Sequence, residues 1–186
     1  MQGALAETLS LIPAPLRRAD DRWPIWPPDR RGSLSHCDVL CAAVVGTRKV
    51  IQSAGIDVEA LGRVTTKLRQ TLFTLTECDY LNALAPEQLD FESTIFFSAK
   101  EAFYKCQYTL TRSWVGFQDV ELQRIDDRTL SITPTATAPR QWHAPRLPPA
   151  GVESFLNSIC GMRQLHRRPA DDVENGSRVR GTATTK

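Results

Sequence analysis

Phe97-Ser-Ala-Lys-Glu-Ala-Phe-Tyr-Lys105 is the stretch on which the reading of this chain turns. Ser98, followed three residues later by Glu101, has the spacing of a capping box, so a helix is expected over Ser98–Tyr108 with Ser98 as its N-cap. On that helix Glu101 and Lys105 are four residues apart and share a face. The plain reading is an ion pair along the helix, worth about a few tenths of a kcal/mol. The sharper reading is a carboxylate for a metal ion, with a lysine one turn further on to hold a phosphate. Lys100 is off that line and either reaches the same place from the side or lies along the surface.

Upstream, Asp38–Val45 is a nearly continuous apolar run, and a turn signal follows at Gly46-Thr47. A second run, Lys49–Glu59, completes what reads as a β-hairpin in the core of a sheet. Within it lies Gly55-Ile-Asp57-Val-Glu59. Strand side chains alternate, so Asp57 and Glu59 point one way, and Ile56 and Val58 the other. Two carboxylates on one face repel each other unless a cation joins them, and Mg²⁺ takes oxygen ligands of this kind. Before the first run stands Gly32-Ser-Leu-Ser-His36, read as a turn at a strand entrance. Such a turn offers backbone N–H groups and hydroxyls to a phosphate, and His36 adds a donor that can be cationic. Trp23-Pro-Ile-Trp-Pro-Pro28 is too rich in proline for a helix, and its two tryptophans are expected to pack a loop on the core. Arg17, Arg18, Arg22, Arg30 and Arg31 are bunched around it, either as solvated surface or as contacts for a phosphate-rich small molecule.

Further elements follow from local signals. Residues Ala4–Leu11 read as the end of a helix stopped near Pro13. Val64–Thr71 reads as helical, and so does Thr76–Leu84, with Thr76 as N-cap and Pro86 just past its end. Val120–Gln123 and Leu130–Thr133, separated by Asp126-Asp127, read as a hairpin. Pro139–Pro149 reads as a loop, Val152–Met162 as either a last strand or a short helix, and the polar segment 167–186 as a disordered tail. Strands and helices mixed without strict alternation favour an α+β fold.

The chain has 186 residues, enough for one domain or two small subdomains sharing a core. A net charge of +2 does not call for nucleic acid as a partner. No apolar run reaches the ~18 residues of a membrane helix, and Met1–Pro13 does not read as a signal peptide, so no membrane association and a cytoplasmic location are expected. Five cysteines without a CxxC pair point to reduced thiols. No serine–histidine–acid arrangement, P-loop or dinucleotide-binding glycine motif is visible. Metal-assisted phosphoryl transfer is the chemistry these residues serve best.

Three clusters in this order resemble the 4′-phosphopantetheinyl transferase superfamily, and in particular its branch in siderophore, polyketide and non-ribosomal peptide synthesis. Trp26-Pro-Pro-Asp-Arg-Arg-Gly-Ser-Leu-Ser-His36 is similar to the family's Trp-Pro…Gly-Ser-x-Ser-His motif. Gly55-Ile-Asp-Val-Glu59 is similar to its Gly-Ile-Asp-x-Glu motif, and Phe97–Lys105 to its (Trp/Phe)-Ser-x-Lys-Glu-(Ala/Ser)-x-x-Lys motif. Leu72-Phe-Thr-Leu-Thr-Glu77 resembles the segment that connects the last two. The resemblance implies an enzyme of the holo-acyl-carrier-protein synthase type. It would move the phosphopantetheine arm of coenzyme A onto a serine of an acyl or peptidyl carrier protein, as a monomer. Asp57, Glu59 and Glu101 would surround Mg²⁺, and Glu101 and Lys105 would be catalytic. Arg31, Ser35, His36, Lys100 and Lys105 would contact coenzyme A. It also implies two similar α+β halves about a pseudo-twofold axis, here 1–61 and 62–166, with the site at their junction. Relatives of this branch carry a longer segment before the Trp-Pro motif, so the first half is expected to be shortened. Arg17, Arg18 and Arg22 are the residues here that could substitute for its basic side chains.

Overall fold

The computed structural model describes residues 16–138 in full and the backbone of 151–157, 160–165 and 182–185. In chain order the elements are β1 (Arg30–His36), β2 (Leu40–Thr47), β3 (Gly55–Ala60), α1 (Thr66–Leu72), α2 (Leu75–Asn82) and α3 (Pro86–Thr111). A 3₁₀ turn at Phe117–Asp119 then leads into β4 (Val120–Arg124), β5 (Thr129–Pro134), β6 (Gly151–Asn157), β7 (Cys160–Leu165) and β8 (Thr182–Thr185). The fold is α+β, as expected. One sheet has the order β1-β2-β8 and the other β3-β7-β6-β5-β4. All the pairings are antiparallel.

The hairpin expected between residues 38 and 59 is not formed. The apolar run does become β2, but its partner is β1, in a register from Arg30 opposite Thr47 to His36 opposite Cys41. Gly32–His36 is therefore a strand and not a turn, and β3 pairs with β7 at the far end of the chain. The β4–β5 hairpin forms as read, with Asp126 Oδ1 accepting from the amides of Arg128 and Thr129 to close the turn. The ambiguous Val152–Met162 segment resolves into parts of two strands, β6 and β7. The tail contributes a strand, Thr182–Thr185, on the edge of β2. The readings over Ala4–Leu11, Pro139–Pro149 and 166–181 lie outside the described residues.

The helices depart from expectation at their starts. Helix α2 is capped by Thr74 and not Thr76. The Thr74 hydroxyl accepts from the Glu77 amide at 3.2 Å, and Glu77 Oε2 accepts from the Thr74 amide at 2.7 Å, a reciprocal capping box. Pro86 opens the next helix at its first turn, where its missing N–H costs nothing. Ser98 consequently lies in mid-helix, fully buried, and is no cap. Tertiary burial explains the extension, because Ile95, Phe96, Ala99, Ala102 and Phe103 form a continuous inner face of α3.

Two apolar clusters result. The larger joins α1, α2 and α3 to β4 and β5 through Phe73, Leu81, Phe96, Leu122 and Leu130. The smaller lies under the first sheet and holds Ala42, Val44, Ile51, Ile56 and Val58. Trp26 covers the first sheet at Gly32, where a Cβ would fall 2.6 Å from the indole. That fits the expectation that the Trp/Pro loop packs on the core.

Lys100 is 2% exposed and threads between elements of the larger cluster. Its Nζ donates to Glu77 Oε2 and the Phe117 carbonyl at 2.6 Å each, to the Val120 carbonyl at 3.0 Å and to that of Leu72 at 3.1 Å. Glu77 Oε1 accepts from the Leu122 amide at 2.7 Å. Burial pushes Glu77 up and Lys100 down, and each partner opposes the shift of the other. Three N–H donors on the carboxylate and four acceptors around the ammonium support the ionised pair. Lys100→Met leaves Glu77 buried without its counter-charge, and urea unfolding is expected to register a loss of about 3–5 kcal/mol. A loss within ordinary surface values would refute this account of Lys100. Gly55 is the other tight point: a Cβ there would land on the Ala102 carbonyl and within 2.9 Å of the Cys106 amide. Gly55→Ala is expected to push α3 off β3, costing about 1–3 kcal/mol in the same assay.

Candidate active site

β3 is the outermost strand of its sheet, so one edge of its backbone lacks a neighbouring strand. Two serines on β1 satisfy that edge. Ser33 Oγ accepts from the Ile56 amide at 3.1 Å, and Ser35 Oγ accepts from the Val58 amide at 3.2 Å. The two-residue spacing on β1 matches the spacing of outward amides on β3, so hydroxyls stitch the two sheets together. Ile56 and Val58 turn into the smaller core, and the opposite face of β3 meets α3, where Gly55 allows close approach. Asp57 is on that face and is 3% exposed.

Asp57 Oδ1 accepts from Lys105 Nζ at 2.7 Å and from Ser35 Oγ at 2.9 Å. Lys105 Nζ also donates to Ser35 Oγ at 3.1 Å and to the Ile56 carbonyl at 3.2 Å. Asp57 Oδ2 is buried with no hydrogen-bond partner among the described residues. Glu59 and Glu101 are near enough to feel the Asp57 charge. Burial first, then the Asp57 charge, raises Glu101 above the usual carboxylate range, against the pull of Lys105. Burial, Asp57 and Glu101 push Glu59 up to about 7, although Arg63 and Lys105 oppose the shift. Three carboxyl groups thus act on one another beside Lys105, with Arg63 as a further cation near Glu59, so that ionising all three leaves an excess of negative charge.

Such an excess fits a divalent cation. The donors are all oxygen, as Mg²⁺ requires, and Asp57 Oδ2 is an orphaned acceptor beside them. Among the described residues, no three acidic, histidine or cysteine side chains are already drawn into a single ligand shell. The donor set therefore fits the ion in type and charge, with rotamer changes left for binding to make.

The shared face of α3 divides two cavities. One, of about 420 Å³, is lined by Lys105, Ser33, Ser35 and His36 on one side and by Arg18 and Arg22 on the other. The second, of about 280 Å³, has Glu101 at its edge and walls of Tyr104, Trp114, Val115 and Phe117. The first combines these basic and hydroxyl groups with Asp21 and the apolar Leu16, Trp23, Pro24 and Leu34, and the second is walled mainly by apolar rings.

The structure thus brings Asp57, Glu59, Glu101, Lys105, Ser35 and His36 to one place. It does not bring Arg31 or the Lys100 ammonium there. Arg31 lies outside the basic cavity's lining, and its guanidinium donates to the Arg30 carbonyl at 3.1 Å. Lys100 borders the apolar cavity, yet its ammonium is enclosed by Glu77 and three carbonyls. An ammonium enclosed in the core on every side has no face open to a ligand's phosphate, whereas Lys105 borders the basic cavity. One residue of the cavity, Ser33, went unselected on sequence grounds. Ser33 could have been found from its spacing to Ser35. Arg18 and Arg22 belong to the basic bunch already visible in the sequence.

The sequence pattern described as the 4′-phosphopantetheinyl transferase superfamily matches residues 53–160, and that of the 4′-phosphopantetheinyl transferase N-terminal domain matches residues 2–46. The chain is 31% identical over 156 residues to the 4′-phosphopantetheinyl transferase PptT of Mycobacterium tuberculosis, covering 75% of this chain and 68% of that protein. It is 33% identical over 120 residues to the 4′-phosphopantetheinyl transferase Npt of Nocardia iowensis, covering 64% of this chain and 52% of that protein. Enterobactin synthase component D of Escherichia coli K12 is 34% identical over 103 residues, covering 54% of this chain and 47% of that protein. The chain thus spans between about half and two thirds of the length of these relatives. With both patterns matched in chain order and the motif residues gathered at the junction of β1, β3 and α3, this chain belongs to the 4′-phosphopantetheinyl transferase superfamily.

Proposed function

We propose that this chain transfers the 4′-phosphopantetheine group of coenzyme A to a serine of an acyl or peptidyl carrier protein, with Mg²⁺ and with release of 3′,5′-ADP. The observation that carries the proposal is Asp57. One carboxylate oxygen is held by Ser35 and Lys105, while the other stays bare beside Glu59 and Glu101. The phosphates of coenzyme A go to the basic cavity, where Lys105, His36, Arg18 and Arg22 supply donors and Ser35 keeps Lys105 in place. The pantetheine arm, uncharged and partly hydrocarbon, suits the cavity walled by Tyr104, Trp114 and Val115. The scissile pyrophosphate then lies at the divide, against the face that carries Glu101 and Lys105.

Asp57, Glu59 and Glu101 would hold the Mg²⁺, which when bound neutralises charge on the pyrophosphate. Lys105 holds a phosphate oxygen and keeps Asp57 oriented. Glu101, raised by burial and by Asp57, is a stronger base than an exposed glutamate and takes the proton of the carrier serine hydroxyl. The serine oxygen forms its bond to the β-phosphorus as the bond from that phosphorus to the 3′,5′-ADP oxygen breaks. Phosphoryl transfer of this kind rests on positioning and charge stabilisation, which these groups supply without a covalent enzyme intermediate.

A second reading, a relative that binds coenzyme A or a carrier protein without transfer, draws on one observation: the three carboxylates are not already arranged in one ligand shell. Release of 3′,5′-ADP separates the two. Mass spectrometry of a carrier protein after incubation with coenzyme A and Mg²⁺ is expected to show one added phosphopantetheine arm. Binding of coenzyme A without that product would favour the second reading.

Glu101→Gln is expected to lower the labelling rate by about 10²–10⁴-fold with little change in unfolding midpoint. Unchanged turnover would remove Glu101 as the base. The pH dependence has a definite sign. The folded Glu59 carboxyl keeps its proton up to about 7, from an ordinary 4.5. Its contribution to stability is complete below about 4.5 and is lost as pH rises through about 7. A cation displaces that proton, so thermal unfolding is expected to show a larger Mg²⁺-induced rise in Tm at pH ~8 than at pH ~6. In Glu59→Gln the difference between the two pH values should shrink.

A further inference from the structure

Two non-glycine residues among those described have a positive backbone φ, Arg22 at 66° and Arg112 at 53°. They are far apart in sequence, and the neighbours of Arg22 in the chain, Asp21 and Trp23, reach Arg112 and Tyr108. Residues 17–25 fold back on themselves, with the Ile25 amide donating to the Arg17 carbonyl at 2.8 Å and the Arg22 amide to the Ala19 carbonyl at 2.9 Å. This small hairpin carries Arg18 and Arg22 to the basic cavity. Both arginines are exposed, and among the described residues their side chains make no hydrogen bond or ion pair. The hairpin tip is held instead by the C-terminal end of α3. Asp21 Oδ2 accepts from the Arg112 guanidinium at 3.0 Å and from the Tyr108 hydroxyl at 3.4 Å. Trp23 stacks on Tyr108 with ring centres 4.9 Å apart and planes 18° apart. The Arg112 guanidinium also stands 5.5 Å from the centre of the Tyr108 ring.

A left-handed turn at a bulky residue persists only where its surroundings hold it. Here the surroundings are Tyr108 and Arg112, one turn and two turns beyond the helix segment that presents Lys105 to the same cavity. We propose that Asp21, Trp23, Tyr108 and Arg112 form a latch that holds the arginine hairpin against α3 and thereby sets affinity for the phosphate end of the ligand without taking part in turnover. The latch rests on the reading of the cavity as a coenzyme A site. Tyr108 and Arg112 are then positioning residues that act through Arg18 and Arg22. The aromatic stack is the stronger half, because the Asp21–Arg112 pair is largely exposed and screened by solvent.

The test uses the full chain and the variants Tyr108→Ala, Arg112→Gln and, as the conservative control, Tyr108→Phe. Hydrogen exchange of the ligand-free protein is read at the amides of Ala19, Arg22 and Ile25, and coenzyme A binding is read by calorimetry alongside carrier labelling. Tyr108→Ala is expected to lose protection at these amides and to weaken coenzyme A binding by about three- to ten-fold, with KM raised and kcat held. Tyr108→Phe should restore both. Unchanged protection in Tyr108→Ala overturns the latch. So does lost protection with unaltered coenzyme A affinity, or a fall in kcat at constant KM. Failure of the unaltered chain to bind coenzyme A overturns the reading of the site itself, and it is told apart because it appears before any substitution is made.

Discussion

Ser35 Oγ is the atom on which the arrangement rests. It accepts from the Val58 amide and from Lys105, and it donates to Asp57. One hydroxyl therefore joins the first sheet, the edge of the second and the long helix. A hydroxyl is suited to this because it can donate once and accept twice, whereas a carbonyl only accepts and an ammonium only donates. Because the two sheets share no strand pairing, the serine stitches at Ile56 and Val58 are what hold Asp57 under α3.

Two lysines five residues apart on α3 have opposite fates. Lys100 faces the larger core, and its ammonium is closed off by Glu77 and three carbonyls. Lys105 faces the seam, where its partner Asp57 retains a bare oxygen and two further glutamates press near. The first pair is complete and so is structural: its worth lies in avoiding an unpaired buried charge. The second is incomplete, and the raised carboxyls around it are where chemistry or a cation can enter. The helix thus serves as a rigid rod whose two faces carry a fastening and a site.

That rod also separates unlike cavities. Toward Lys105 the walls carry basic and hydroxyl groups among apolar ones, and toward Glu101 they are mainly aromatic. A ligand with a phosphate-bearing end and an uncharged end would find the arginines and Lys105 on only one side of this divide. Membership of the 4′-phosphopantetheinyl transferase superfamily is consistent with this polarity. Among the described residues, no helix is long and apolar enough to cross a membrane, the 26 residues of α3 included.

Much of the site was legible in the sequence because its logic is local. Alternation along Gly55–Glu59 already places Asp57 and Glu59 on one face, and helical spacing already aligns Glu101 with Lys105. The α+β class followed from the same periodicities. Pairing was not legible. The turn at Gly46-Thr47 invites a hairpin between its flanking runs, yet β3 finds β7 about a hundred residues later, a partner no short-range signal names. Nor could the sequence divide the roles of Lys100 and Lys105. Their side-chain chemistry is the same, and only the packing of α3 decided which ammonium would be enclosed by carbonyls and which would be left beside a cavity. The sequence determined which groups were available and which neighbours they had along the chain. The tertiary structure decided which of those groups were desolvated together, because burial and charge act through space.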